Sequence, residues 1–153
     1  MNSVIISKAG GPEVLEYKEL KLEDPKADEV TIKNHAIGLN YIDTYHRSGL
    51  YPLTLPSPIG LEGAGEITKV GSDVKDFKVG DKVAYCAAPL GAYSTHRNYP
   101  TKNLVKVPDN VDLETAATLM TKGITTFYLL HKTYPVKSGE DILFHAAAGG
   151  VGQ

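Results

Sequence analysis

A single cysteine, Cys86, stands among the 153 residues. One thiol excludes an internal disulfide and any zinc site built from several cysteines, and it suits a reducing compartment. Long apolar runs are missing too: none reaches the ~18 residues that a membrane-spanning helix needs. The opening MNSVIISKAGG has no basic segment followed by a long apolar one, so it does not read as a secretory leader. The expected location is therefore the cytoplasm, with no membrane partner. Excess charge of one sign is also lacking, since 16 Lys and Arg face 18 Asp and Glu for a formal net charge of −2. The basic residues are spread along the chain rather than gathered, so no patch offers itself to a phosphate backbone and nucleic acid is not an expected partner.

What is present is ordinary globular material, 42% hydrophobic and 22% charged residues, enough to bury a core rather than stay disordered. Up to about residue 108 the chain reads as short strands punctuated by Gly and Pro: SVIIS, VLEYKEL, EVTIKNHAIGL, GEITKVG, DKVAYCA, AYSTHRNY and NLVKVP. Several alternate apolar with polar residues, the period of a half-buried strand, and their number and spacing predict a small antiparallel barrel or sandwich. YIDTYHRSG interrupts them with two helical turns over 41–48 that stop on a glycine. From Asp112 the texture becomes rich in Ala, Leu and Thr, with Asp112 as N-cap and Pro135 as stop. Gly123 is expected to split this stretch into two helices. An apolar strand over 142–146 then leads into glycines, in the manner of an opening α/β domain.

The last ten residues, FHAAAGGVGQ, fit a phosphate-loop template set as Ala147-x-Gly149-x-x-Gly152. In such a loop the middle glycine lets backbone approach a pyrophosphate and the last permits close packing of helix on strand. A helix starting there would turn free N–H groups toward the anion. Taken alone, such a turn is equally a flexible connection. The residue that reads the ribose would lie ~20 positions further on, so these residues do not distinguish NAD from NADP.

With its flanks the turn says more. GEDILFHAAAGGVG (139–152) resembles the signature of the quinone oxidoreductase and zeta-crystallin family, within the medium-chain dehydrogenase/reductase superfamily. The upstream stretches GGPEVL, AIGLNYIDTYHRSGLYP, GLEGAGEI, VGDKVAY and KGITTFYLL resemble the same family in the same order. The resemblance implies a β-rich GroES-like barrel packed on a Rossmann domain, an active site in the cleft between them, and a chain about twice this long. Residues 1–122 would form the GroES-like catalytic domain, and 123–153 the connecting helices and first strand of an incomplete NADP-binding domain. On this reading the chain is truncated, inactive by itself, and leaves 142–146 as an unpaired apolar edge. The longer protein would be a homodimer.

Zinc-dependent relatives in that superfamily carry a Gly-His-Glu motif and a nearby cysteine. Here the matching positions read Gly60-Leu61-Glu62 and, for the cysteine, Asn40 or its neighbour, and leucine cannot ligate zinc. His35, His46, His96, His131 and His145 show no ligand spacing, so no metal is expected. Without one, the accessible chemistry is hydride delivery to an electron-poor acceptor, a quinone or conjugated enone, whose reduction gives a delocalised oxyanion. The implied activity is an NADPH-dependent quinone reductase. An enone reductase, or a binding or structural protein that kept the fold, are the alternatives.

The candidate catalytic residues are Asn40, through its amide, and Tyr51, a phenol on the proline-stiffened loop YPLTLPSPIG. The resemblance assigns cofactor contacts to Asn40, Tyr41, Ile42, Asp43 and Tyr45, to Thr125 and Tyr128 on the connecting helix, and to Gly149, Gly150, Val151 and Gly152. Asn40 and Asp43 read equally well as the capped start of a helix, Tyr51 as a surface tyrosine, and Thr125 and Tyr128 as core packing. Glu62 is expected to be a buried carboxylate held by hydrogen bonds. Cys86 has no basic neighbour to activate it and is not a candidate nucleophile.

Overall fold

A computed structural model describes residues 1–153. Eight strands and two helices follow in order: β1 Asn2–Ile6, β2 Leu15–Glu19, β3 Glu29–Gly38, α1 Tyr41–Ser48, β4 Ser57–Pro58, β5 Glu62–Val70, β6 Lys82–Tyr85, β7 His96–Pro100, β8 Val105–Lys106 and α2 Leu113–Tyr128. All pairings are antiparallel. They give one sheet ordered β2-β1-β4 and a second ordered β7-β3-β5-β6-β8. A bridge between Ser3 and Ser94 ties the two together. The β-rich unit expected from the strand periodicity is thus present. The two-residue β4, lying in a proline-rich loop, gave no periodic signal.

Alternation decides which face of each strand is buried. Val30, Ile32, Ile67, Val83, Tyr85 and Tyr99 come together in the main core, which also holds the buried cation Arg97. Its guanidinium lies 4.7 Å from the Tyr85 ring centroid and 4.6 Å from that of Tyr99. It donates to the carbonyl oxygens of Pro89 and Leu90, so aromatic faces and backbone dipoles hold the charge where no carboxylate does.

β3 is the strand that aims the site. Its register against β5 slips between Asn34 and Ala36, placing two residues opposite one. Such a bulge bends a strand, here just before it ends at Gly38 and hands over to α1. A second contact fixes α2 over the sheet: Ala116 and Ala117 of the helix meet Ala64 and Ala84. Small residues let the backbones approach, and Gly38 is required for the same reason. A Cβ there would fall 2.4 Å from both Ala117 O and Glu62 Oε2.

The helix signals act as the sequence predicts at three ends. Gly49 closes α1 in the left-handed conformation at φ 82°. Asp112 caps α2 by accepting from Thr115 N–H at 2.6 Å. Before Pro135, Tyr134 is already extended.

Two expectations fail. Gly123 does not divide the helix, because α2 runs unbroken to Tyr128 and continues as a wider π-helical turn over Leu129–Thr133. One internal glycine costs about 1 kcal/mol relative to alanine, less than the packing of α2 on the sheet returns. Residues 142–146 are not a strand. An isolated extended segment has no ladder to satisfy its backbone groups, and no parallel neighbour exists among these residues. Ile142, Leu143 and Phe144 are exposed instead.

Candidate active site

α1 begins soon after β3 ends, and the residue before its first turn is Asn40. Asn40 is the N-cap of α1 and is 9% exposed, yet its side chain does not cap the helix. Its Nδ2 donates instead to Glu62 Oε2 at 2.7 Å, a bond between residues 22 apart in sequence. Asp43 supplies the capping, accepting the Asn40 N–H at 3.0 Å. The same Asp43 oxygen accepts the Tyr93 hydroxyl at 2.8 Å, which pins α1 to the segment leading into β7. Burial and the adjoining Asp43 carboxylate hold the Tyr93 phenol far above its usual range. Asn40 is therefore fixed from both sides: its backbone starts the helix, and its amide is turned inward to Glu62.

Glu62, at the start of β5, is fully buried. Besides Asn40 it accepts the Thr121 backbone N–H from α2 through Oε1, at 2.8 Å. The expectation of a buried, hydrogen-bonded carboxylate is met. Lys122 brings the counter-charge. Its Nζ is 3.9 Å from Glu62 Oε2 and 3.5 Å from Asn40 Oδ1, and it donates to Thr118 O at 3.3 Å. A buried carboxylate needs partners for its oxygens, and Asn40 Nδ2, the Thr121 N–H and the nearby Lys122 ammonium supply them. The amide orientation of Asn40 follows: nitrogen to the carboxylate, oxygen to the ammonium, one Nδ2–H left over.

Lys122 also reaches the other half of the site. A cleft of about 780 Å³ between α2 and the C-terminal glycines is lined by Lys122, Thr126, Phe144 and Gly150 among others. A Cβ at Gly152 would meet the Ala147 backbone, so that position demands glycine, whereas one at Gly150 would meet only the flexible Lys122 side chain, 2.5 Å from Cε. The turn is stitched by Gly149 N–H to Ala146 O at 2.8 Å and Gly152 N–H to Gly149 O at 2.9 Å. Gly150 and Val151 donate to nothing within the chain, leaving two N–H groups for an anion. Thr126, not Thr125, contacts this turn, its hydroxyl donating to Lys122 O at 2.9 Å and Val151 O at 3.4 Å. The Thr125 hydroxyl bonds Thr121 O at 2.7 Å, while Tyr128 is exposed.

The tyrosines of α1 and the loop after it form a separate row. Tyr41 meets Tyr45 edge-on with centroids 5.3 Å apart, Tyr45 lies 5.3 Å from Tyr51, and His46 meets Tyr51 at 5.9 Å. Tyr41 and Tyr51 are exposed and Ile42 is half-buried beside them. Such a row suits a flat ring as ligand. No three His, Cys, Asp or Glu side chains gather into a ligand set. Burial, then the charge of Glu62, pushes the Cys86 thiol up, away from nucleophilic use. No helix is long and apolar enough to cross a membrane.

Lys122 is the member of this cluster that was not among the residues expected from the sequence. A signal existed, since it is the one charged residue between Glu114 and His131 in an otherwise neutral helical stretch.

Comparison with known proteins places this geometry. Residues 26–109 match the family model described as the alcohol dehydrogenase GroES-like domain. The chain is 59% identical over 144 residues to a quinone oxidoreductase of Pseudomonas aeruginosa, covering 94% of this chain and 44% of that protein. It is 46% identical over 156 residues to a 2-haloacrylate reductase of Burkholderia, covering 98% and 47%. Its fold superposes on the structure of Escherichia coli quinone oxidoreductase complexed with NADPH with a TM-score of 0.97 at 49% identity, covering 99% of this chain and 47% of that one. The chain thus spans about half the length of the relatives it matches.

Proposed function

Since the chain belongs to the alcohol dehydrogenase GroES-like domain family, among its quinone oxidoreductases, we propose that it forms the acceptor-binding half of an NADPH-dependent quinone reductase working without zinc. The observation that carries this reading is the Asn40–Glu62–Lys122 cluster, whose Lys122 also lines the cleft beside the C-terminal glycines. It supplies fixed hydrogen-bond donors and a cation where a metal-dependent relative needs a metal, and it suits an acceptor already electron-poor.

NADPH, when bound, supplies the hydride. The residues present fit its two ends: the free N–H groups of Gly150 and Val151 suit phosphate oxygens, with Gly149 and Gly152 shaping the turn, and the spare Nδ2–H of Asn40 suits a carboxamide or acceptor carbonyl. Tyr41, Tyr45 and Tyr51 offer aromatic faces to the nicotinamide or the acceptor ring. Tyr51 orients the acceptor through its phenol, and Asp43 holds α1 in place. Thr125 and Tyr128 complete the helix side of the cofactor contact together with Thr126.

The GroES-like unit spans residues 1–122 and the cofactor domain opens at 123. Residues 1–153 alone do not turn over substrate, in keeping with the unpaired 142–146 segment and the doubled length of the relatives. The whole enzyme is a cytoplasmic homodimer.

The test is NADPH oxidation by the protein at its native length, with a panel of small quinones, before and after exhaustive chelation. Chelator-resistant quinone reduction is expected, and chelator-sensitive turnover would overturn the zinc-free reading. A second acceptor class is favoured by the likeness to the 2-haloacrylate reductase: faster reduction of enones or acrylates than of quinones would select it. Tight NADPH binding with no acceptor reduced would instead identify a binding protein.

A further inference from the structure

Lys122 holds an unusual position. Its side chain is 27% exposed, while the carboxylate it faces, Glu62, is wholly buried. Its carbons lie against Gly150, but its nitrogen continues past the glycine turn to Asn40 Oδ1 and Glu62 Oε2. Lys122 thus lines the cleft with its side chain and carries its ammonium to Asn40 and Glu62. Two of its three N–H bonds have long partners, at 3.5 and 3.3 Å. Ammonium hydrogen bonds to carboxylate or oxyanion run nearer 2.8 Å, so the group is held in place without being satisfied. Asn40 points its oxygen at this nitrogen because Glu62 takes its Nδ2, which locks the ammonium's direction.

We propose that Lys122 is the catalytic electrophile and proton donor for the acceptor oxygen, an inference that rests on the reductase reading. The carbonyl oxygen of the quinone or enone binds the Lys122 ammonium. Two-electron reduction of the acceptor leaves that oxygen anionic. An Nζ–H bond of Lys122 then breaks as the O–H bond of the product forms, and the resulting amine regains a proton from water at its exposed side. Glu62 and Asn40 are positioning residues for this step. Charge develops on the oxygen where a cation already waits in a partly dry site, the arrangement that stabilises an oxyanion most strongly.

The experiment compares wild type with Lys122→Met and Lys122→Gln at native length. For both variants kcat/KM for the acceptor should fall about a hundredfold, while the Kd for NADPH, measured by titration calorimetry, stays within about threefold of wild type. A second readout needs no turnover: p-nitrophenol serves as a stand-in for the reduced acceptor, its phenolate followed by absorbance. Bound to wild type its acid dissociation constant should rise about tenfold, through the adjacent cation, and bound to either variant it should not. Retention of kcat/KM within threefold, or a tenfold loss of NADPH affinity, would overturn the assignment, the latter making Lys122 a phosphate ligand. Should wild type reduce no acceptor, the reductase reading falls by itself, and the p-nitrophenol titration still decides for or against Lys122. Should the variants not fold, an unshifted or unbound p-nitrophenol in wild type alone is enough to reject the proposal.

Discussion

Replacing Glu62 by alanine removes the centre of the site, and the cost can be worked from its partners. The fully buried carboxylate accepts from Asn40 Nδ2 at 2.7 Å and from Thr121 N–H at 2.8 Å. Deleting it strands both donors away from water, at about 1–3 kcal/mol each. Lys122 loses a carboxylate 3.9 Å away, but its side chain is part-exposed and water recovers most of that. The sum is a loss of about 2–6 kcal/mol, which brackets the roughly 3–5 kcal/mol typical for removing one partner of a buried charge pair. Urea unfolding followed by far-UV circular dichroism, extrapolated linearly, measures it. Glu62→Gln separates charge from shape, because it keeps one acceptor but turns an amide N–H toward another donor, and should lose about half as much. It should also lower the pKa of Cys86, whose rise owes its second contribution, after burial, to the Glu62 charge. The rate of iodoacetamide reaction against pH reads that directly. A loss under about 1 kcal/mol for Glu62→Ala, with the Cys86 profile unchanged in Glu62→Gln, would refute the view that this carboxylate organises the site.

Three further outcomes follow from the same geometry. Tyr93→Phe removes the hydroxyl that donates to the buried Asp43 at 2.8 Å and should cost about 1.5–3 kcal/mol in the same urea assay; a neutral result would mean that α1 is not held through Asp43. Gly38→Ala forces a methyl against Ala117 O and Glu62 Oε2 and should lose about 1–3 kcal/mol, with the amide signals of Thr121 and Asn40 shifting by NMR. Stability should fall at both ends of the pH scale. Tyr85, Tyr93 and Tyr99 are raised by burial, so their contribution is intact below the ordinary tyrosine range and is lost as pH climbs through their folded values. Asp112, depressed by the Thr115 N–H it caps, and Asp81, depressed by Lys106, contribute above the ordinary carboxylate range and lose that contribution as pH falls through their depressed values. Thermal unfolding across pH, with Asp112→Ala flattening part of the acid limb, checks both signs.

The sequence by itself determined the elements whose causes are local. Alternating apolar residues over 29–38 make β3 whatever it pairs with, Gly49 stops α1 because it alone accepts φ 82° without strain, and Asp112 caps α2 through a neighbour three residues on. Asn40 was legible as the start of a helix, and Glu62 as a buried carboxylate, because a short motif surrounds each. Tertiary structure decided what depends on distant partners. Whether 142–146 becomes a strand turns on a neighbouring strand that its own residues do not encode. Whether α2 breaks at Gly123 turns on the sheet it packs against. Lys122 lies 82 residues from Asn40, and no local pattern states that its ammonium reaches the amide, or that Glu62, 59 residues from Thr121, fixes which way that amide faces. Periodicity and capping act within a few residues, whereas the desolvation of a carboxylate and the direction of a cation are set only when three segments of chain close around the same point.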